Sequence, residues 1–156
     1  MDSKTLEQAK EQIVFEEGIK NSVYLCSESH KTVGIGHLCL KGEPEFEMDI
    51  GTKISPERTQ ELFNADFNQT LNDCKALFPE FDDYNAQIQI VLLNMCFQLG
   101  LPRLKGFKKM RKALDERNFV QMAKEMENSR WYRQTTNRAE RQIARIESLI
   151  PIDVSS

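Results

Sequence analysis

Residues 15–37 read FEEGIKNSVYLCSESHKTVGIGH, and the reading of this stretch decides the fold. Upstream of it, Leu6, Ile13 and Val14 stand on a background of Glu, Gln and Lys, so an amphipathic helix runs into the stretch. Gly18 is its expected C-cap. Glu17 then falls in the last helical turn, where the helix dipole disfavours a carboxylate, a setting that suits a proton donor. Glu16 beside it reads as a solvated surface residue. Residues 19–25 and 32–38 read as two short strands joined by the polar turn Ser27–Lys31. Alternation in TVGIGH places Thr32, Gly34 and Gly36 on one strand face, and Val33, Ile35 and His37 on the other. The glycine face has no side-chain bulk and lets a ligand approach the backbone. His37 reads as a buried, paired histidine, and His30 in the turn as exposed. One turn-rich segment thus collects a carboxylate (Glu17), a thiol (Cys26) and a hydroxyl (Thr32), which marks it as a candidate active site.

Bulk properties narrow the class. The chain of 156 residues is long enough to bury a core, and 40% hydrophobic with 29% charged residues is ordinary globular composition. No apolar run reaches the length of a membrane span, and the polar start MDSKTLEQAKEQIV has no signal-peptide core. Synthesis in a cytosol, without signal peptide or transmembrane segment, is therefore expected. Cys26, Cys39, Cys74 and Cys96 show no C-x-x-C spacing, which argues against a zinc site or redox motif. Reduced thiols are expected, with Cys74 and Cys96 as small hydrophobes inside helices. The net charge of −3 conceals a basic third, with 12 Lys/Arg against 5 Asp/Glu from Lys105 to Arg145. Such a run suits an anionic polymer, yet most of it reads as the solvated faces of short helices. No aromatics interleave with it as in a single-strand binder, so nucleic acid is not an expected partner.

Residues 39–54 carry Gly and Pro punctuation and read as a loop or ragged hairpin. Ser55-Pro56 is a helix start, with Ser at the N-cap and Pro at the first helical position. Leu62, Phe63, Ala65, Phe67, Leu71 and Leu77 carry that helix to Phe78-Pro79, a rod of roughly 35 Å. Asp66 projects from it and is the candidate partner of His37. From about residue 83 to 99 the run IQIVLLNMCFQL is apolar nearly all round, as in a central buried helix, and it stops at Gly100. Short helices near 107–116 and 119–128 and a last helix over 137–149 follow, and the tail past Pro151 is expected to fray.

The spacing E-x8-C-x5-T followed by GIGH, together with LFNAD (62–66), NMCFQLG (94–100), GF (106–107) and SRWYRQTTNRAER (129–141), resembles the phage-type lysozymes, the muramidase endolysins of tailed phages. The match runs in the family's order from about residue 10 to residue 147. The resemblance implies a mainly helical α+β fold of two lobes. Residues 1–54 would form the N-terminal lobe with a β-hairpin sheet, 55–78 the connecting helix and 79–156 the helical C-terminal lobe. It implies hydrolysis of the β-1,4 bond between N-acetylmuramic acid and N-acetylglucosamine in peptidoglycan glycan strands, without metal or organic cofactor. Glu17 would protonate the leaving oxygen, Arg138 would pair with it, and Thr32 would help place the attacking water. His37 and Asp66 would form a buried ion pair, Phe97 and Gln98 would lie near the cleft floor with Gly34 and Gly36 bordering it, and Trp131 and Tyr132 would belong to the core. A monomer is expected, held in the host bacterial cytoplasm until a holin-type membrane pore gives it access to the wall.

By the same resemblance Cys26 would occupy the second catalytic slot, where this family carries aspartate or cysteine. A thiol of ordinary pKa, about 8.5, is only slightly ionised at neutral pH. As thiolate it would stabilise the cationic transition state, orient water or attack the anomeric carbon, and Glu28 is the alternative carboxylate. The alternative function is a non-catalytic wall-binding or particle-associated module of the same fold.

Overall fold

The computed structural model describes residues 1–152, so the expectation of a frayed tail falls largely outside the described residues. Helix α1 spans Ser3–Glu17; the Asp2 carboxylate caps it by accepting from the Thr5 N–H at 2.7 Å. Gly18, at φ 73°, lets the chain turn out of the helix while its N–H still bonds to the Val14 carbonyl. Thr5, Ala9 and Ile13 form the buried stripe of α1, which packs on the central helix.

The chain then builds a three-stranded antiparallel sheet, β1 (Lys20–Leu25), β2 (Lys31–Gly34) and β3 (His37–Leu38), in that order. The single strand expected over 32–38 is broken. Ile35 and Gly36 form a tight reversal, so Thr32 faces Leu38 and Val33 faces His37 across the resulting hairpin. Gly34 at φ 66° and Gly36 at φ 63° take left-handed conformations that any other residue adopts only with strain. The period-2 pattern therefore ends at Gly34.

Residues 39–54 contain a short 3-10 turn, Pro44–Glu47, and return to β1 through a bridge between Ser22 and Lys53. Polar bonds fix this segment. Lys31 Nζ donates to the Phe46 and Met48 carbonyls at 2.9 and 2.7 Å, and Arg58 pairs with the almost fully buried Glu45.

Helix α2 (Pro56–Leu77) begins at the expected Ser55 cap, whose Oγ accepts from Arg58 N at 3.0 Å. The expected helix from residue 83 begins later. Phe81–Asp83 is a separate 3-10 turn, and the Asn85 side chain caps α3 (Ala86–Leu99). Ten residues of α3 are buried, from Ile88 through Cys96 and at Leu99, as its all-round apolar composition requires. Then come α4 (Leu101–Lys105), α5 (Lys108–Asp115), α6 (Phe119–Glu127), α7 (Arg130–Gln134) and α8 (Thr136–Glu147). The five-residue helices α4 and α7 escape sequence reading because so short a span shows no periodicity. The mainly helical α+β class expected from the sequence is the class observed.

Candidate active site

The C-terminal end of α1 meets α8 through two adjacent ion pairs. Arg138 Nη1 donates to Glu17 Oε2 at 2.6 Å, and Arg141 holds Glu16 through Nη2 at 2.6 Å and Nε at 3.1 Å. Arg138 and Arg141 are three apart on α8 and so project from one face. Glu16 is thus not a solvated residue: its side chain is 3% exposed, shielded by Arg141, whose guanidinium also lies 5.4 Å from the Phe15 ring centroid. Its partner stands 125 residues away, out of reach of local pattern reading.

Arg138 is itself held from α3. Its Nε donates to Asn94 Oδ1 at 2.9 Å and its Nη2 to the Asn94 carbonyl at 3.4 Å. A guanidinium only donates, so the amide oxygen must face it. The Asn94 Nδ2 donor is left buried without a partner among the described residues. Such an orphan costs about 1–3 kcal/mol.

The other oxygen of Glu17 lies over Gly36. A Cβ at residue 36 would sit 2.5 Å from Glu17 Oε1, and one at residue 34 would sit 3.2 Å from Thr59 Cγ2. The bare glycines therefore admit the protein's own side chains, Glu17 at Gly36 and Thr59 at Gly34.

Cys26 stands at the start of the β1–β2 turn. Its N–H donates to the His30 carbonyl at 2.9 Å, and Ser29, at φ 63°, closes the turn by donating to the Cys26 carbonyl at 2.8 Å. The thiol is half-buried, and its pKa is held below the ordinary thiol value. Hydrogen bonding from the His30 backbone is the main cause, then from the Glu28 backbone, with a further bond to the Thr32 side chain. The turn's own dipoles stabilise the thiolate. Thr32 is buried, and its single hydroxyl proton goes either to the His30 carbonyl, 3.0 Å away, or to the Cys26 thiolate, so one turn brings Cys26 and Thr32 together. Tyr24, which sequence reading missed, stands near both Glu17 and Cys26: burial raises its pKa first, then the charges of Glu17 and Cys26. The available signal was its place on β1, two residues before Cys26.

A family model described as phage lysozyme matches residues 15–147. The chain belongs to the phage lysozyme family. It is 28% identical over 158 residues to a probable T4-type lysozyme 2 of Dictyostelium discoideum, covering 89% of this chain and 93% of that protein. It is 30% identical to the pre-baseplate central spike protein Gp5 of Enterobacteria phage T4, over 81% of this chain and 25% of that protein. It is 31% identical to the peptidoglycan hydrolase gp36 of Pseudomonas phage phiKMV, over 74% of this chain and 12% of that protein.

Within this phage lysozyme fold His37 joins the hairpin to α2. Its Nδ1 lies 2.7 Å from Asp66 Oδ2, and its Nε2 lies 2.9 Å from Glu43 Oε1. Burial works to lower the histidine pKa, but hydrogen bonds to Asp66 and Glu43 outweigh it and raise the value to about 9. At neutral pH both ring nitrogens are donors. Glu43 was not foreseen; it sits in the irregular segment, where no periodicity points to a partner.

Phe97 is half-buried against Phe63, with ring centroids 5.7 Å apart. Gln98 accepts from Trp131 Nε1 at 2.8 Å and donates to Thr135 Oγ1 at 3.3 Å. Trp131 is buried, and Tyr132 is half-buried with its hydroxyl on Glu140 at 2.8 Å. Trp131 also lines an open cavity of about 670 Å³ with Arg103, Lys108, Lys109, Glu125 and Arg130, which Glu28 of the hairpin turn reaches. Glu17, Cys26 and Thr32 do not line it. The cavity carries carboxyl groups of its own, Glu28 and Glu125, and stands apart from the Glu17–Arg138 pair. Among the described residues no group of three or more His, Cys, Asp or Glu side chains is arranged to hold a metal ion.

Proposed function

We propose that this chain is a muramidase endolysin, a glycoside hydrolase that cuts the β-1,4 bond between N-acetylmuramic acid and N-acetylglucosamine in bacterial peptidoglycan. The observation that carries the reading is the fixed carboxyl of Glu17, with Oε2 on Arg138 and Oε1 over Gly36. Family membership and relatives named T4-type lysozyme and peptidoglycan hydrolase support the same chemistry.

Acid-assisted glycoside cleavage needs a proton on the leaving oxygen and a group that tolerates the cationic ring. Glu17 supplies the proton through Oε1, the oxygen that Arg138 leaves free. Cys26, held toward thiolate by the turn amides, supplies negative charge in the second slot, and Thr32 beside it places the attacking water. The overall reaction adds water across the bond, giving a new reducing end and a hydroxyl, and needs neither metal nor organic cofactor. Arg138 positions Glu17, and Phe97 and Gln98 support the cleft floor. His37 and Asp66 hold the hairpin that carries Cys26 and Thr32 against α2.

Among the described residues no helix is long and apolar enough to cross a membrane. A pool made in the host cytosol would reach the wall through a holin-type pore. A monomer suffices, since every group named belongs to one chain. The similarity to a central spike protein favours a second reading, a particle-associated wall module. Digestion of purified peptidoglycan followed by identification of the new reducing ends tests the proposal. Reducing N-acetylmuramic acid is expected. Reducing N-acetylglucosamine would contradict the bond assignment, and no cleavage with retained wall binding would favour the non-catalytic module.

A further inference from the structure

Asn94 is an anomaly in α3. It is 1% exposed, flanked by Leu93 and Met95, which are fully buried, and its Nδ2 donor has no partner among the described residues. A leucine of nearly the same size would fit the apolar helix without leaving that donor stranded. What the amide provides is directional. Its Oδ1 and backbone carbonyl take Arg138 Nε and Nη2 at 2.9 and 3.4 Å, which fixes one edge of the guanidinium plane. The remaining nitrogen, Nη1, is then aimed at Glu17 Oε2 at 2.6 Å.

We infer that Asn94 is a positioning residue for the hydrolysis, acting through Arg138 to orient the Glu17 carboxyl. This rests on the reading of Glu17 as the proton donor. Without the Asn94 contacts the guanidinium is free to turn about its stem, and Glu17 Oε1 loses its fixed place over Gly36. Misplacement of a reacting group by about 1 Å costs on the order of 10²-fold in rate. The effect therefore falls on kcat and spares KM, because Asn94 is buried and touches no substrate.

The test is a double-mutant cycle on kcat with Asn94→Ala, Arg138→Ala and the pair, beside Asn94→Asp, which keeps the shape and the acceptor. Each single alanine change is expected to lower kcat roughly 10- to 100-fold with KM within about twofold, and the pair to be no worse than Arg138→Ala alone. Asn94→Asp is expected to fold like the wild type and to move the alkaline limb of the pH–rate profile upward, because a second carboxylate shares the guanidinium. Multiplying losses in the cycle, or a kcat in Asn94→Asp as low as that of Asn94→Ala, would overturn the inference. Hydrogen exchange at Arg138 Nε–H, read by NMR, separates this from failure of the functional reading. It should speed up at least tenfold in Asn94→Ala and stay slow in Asn94→Asp, whatever Glu17 does. Equal exchange in Asn94→Ala and wild type would overturn the inference directly.

Discussion

The hairpin region and the helical region are held together by different means. Around the sheet the buried apolar cluster is small: Val23, Val33, Cys39 and Leu62, with Met48 and Ile54 against it. The larger core reaches from Ala9 and Ile13 of α1 through α2 and nearly all of α3 to Ile146 of α8. What the hairpin region lacks in apolar burial it replaces with polar ties, His37 to Asp66 and Glu43, Glu45 to Arg58, and Lys31 to two carbonyls. Such ties respond to pH, and apolar packing does not. Cys26 and Thr32 stand on the pH-responsive side, Arg138 and Asn94 on the packed side, and Glu17 at the join.

Four changes would break or sharpen that contrast. The largest stability effect is expected from Leu92→Ala in α3, where the side chain is fully buried: a loss of about 2–5 kcal/mol, read as a lowered urea midpoint. A loss below 1 kcal/mol would mean the helical core is not the main source of stability. Gly36→Ala comes next. Its left-handed φ costs about 1–2 kcal/mol for a residue with a Cβ. The added methyl also displaces Glu17 Oε1, so wall hydrolysis is expected to fall on the order of 10²-fold.

The third change addresses pH. His37 binds its proton more tightly when folded, with a pKa of about 9, than the unfolded chain does near 6.5. Its stabilising effect is therefore complete below about 6.5 and is lost as pH rises through about 9. Urea midpoints of wild type should fall over that window more steeply than those of His37→Asn; parallel curves would remove the polar tie from the account. The smallest effect is expected from Arg141→Ala. Its guanidinium is 46% exposed and is itself what covers Glu16, so removing it returns the Glu16 carboxylate to water; the change should cost less than about 1 kcal/mol and leave hydrolysis near wild type. A large loss of activity there would show that both ion pairs, not Arg138 alone, set Glu17.

The sequence made the helical region legible because periodicity and caps are local signals. Gly18, Ser55-Pro56 and the apolar run of α3 each mark a boundary or a face without reference to distant residues. The hairpin was half legible. Its strands were placed, but the left-handed glycines at 34 and 36 overrode alternation and turned one expected strand into two. The site's separate pieces could be named from the family's motif spacing, whereas the ties between them depend on the fold. Glu16 with Arg141 and His37 with Glu43 are pairs that no spacing announces. Asn94 lies inside a run that reads as one buried apolar helix, and only the direction of the Arg138 guanidinium gives it a task.

The most direct test of the account compares wall-lysis rates of wild type, Glu17→Gln, Cys26→Ala and Cys26→Asp on Gram-negative cells stripped of their outer membrane. The account predicts a loss of roughly 10²–10⁴-fold in Glu17→Gln, a clear loss in Cys26→Ala, and activity retained in Cys26→Asp, each at an unchanged melting temperature. Wild-type lysis by Glu17→Gln would contradict it outright, and wild-type lysis by Cys26→Ala would pass the second slot to Glu28.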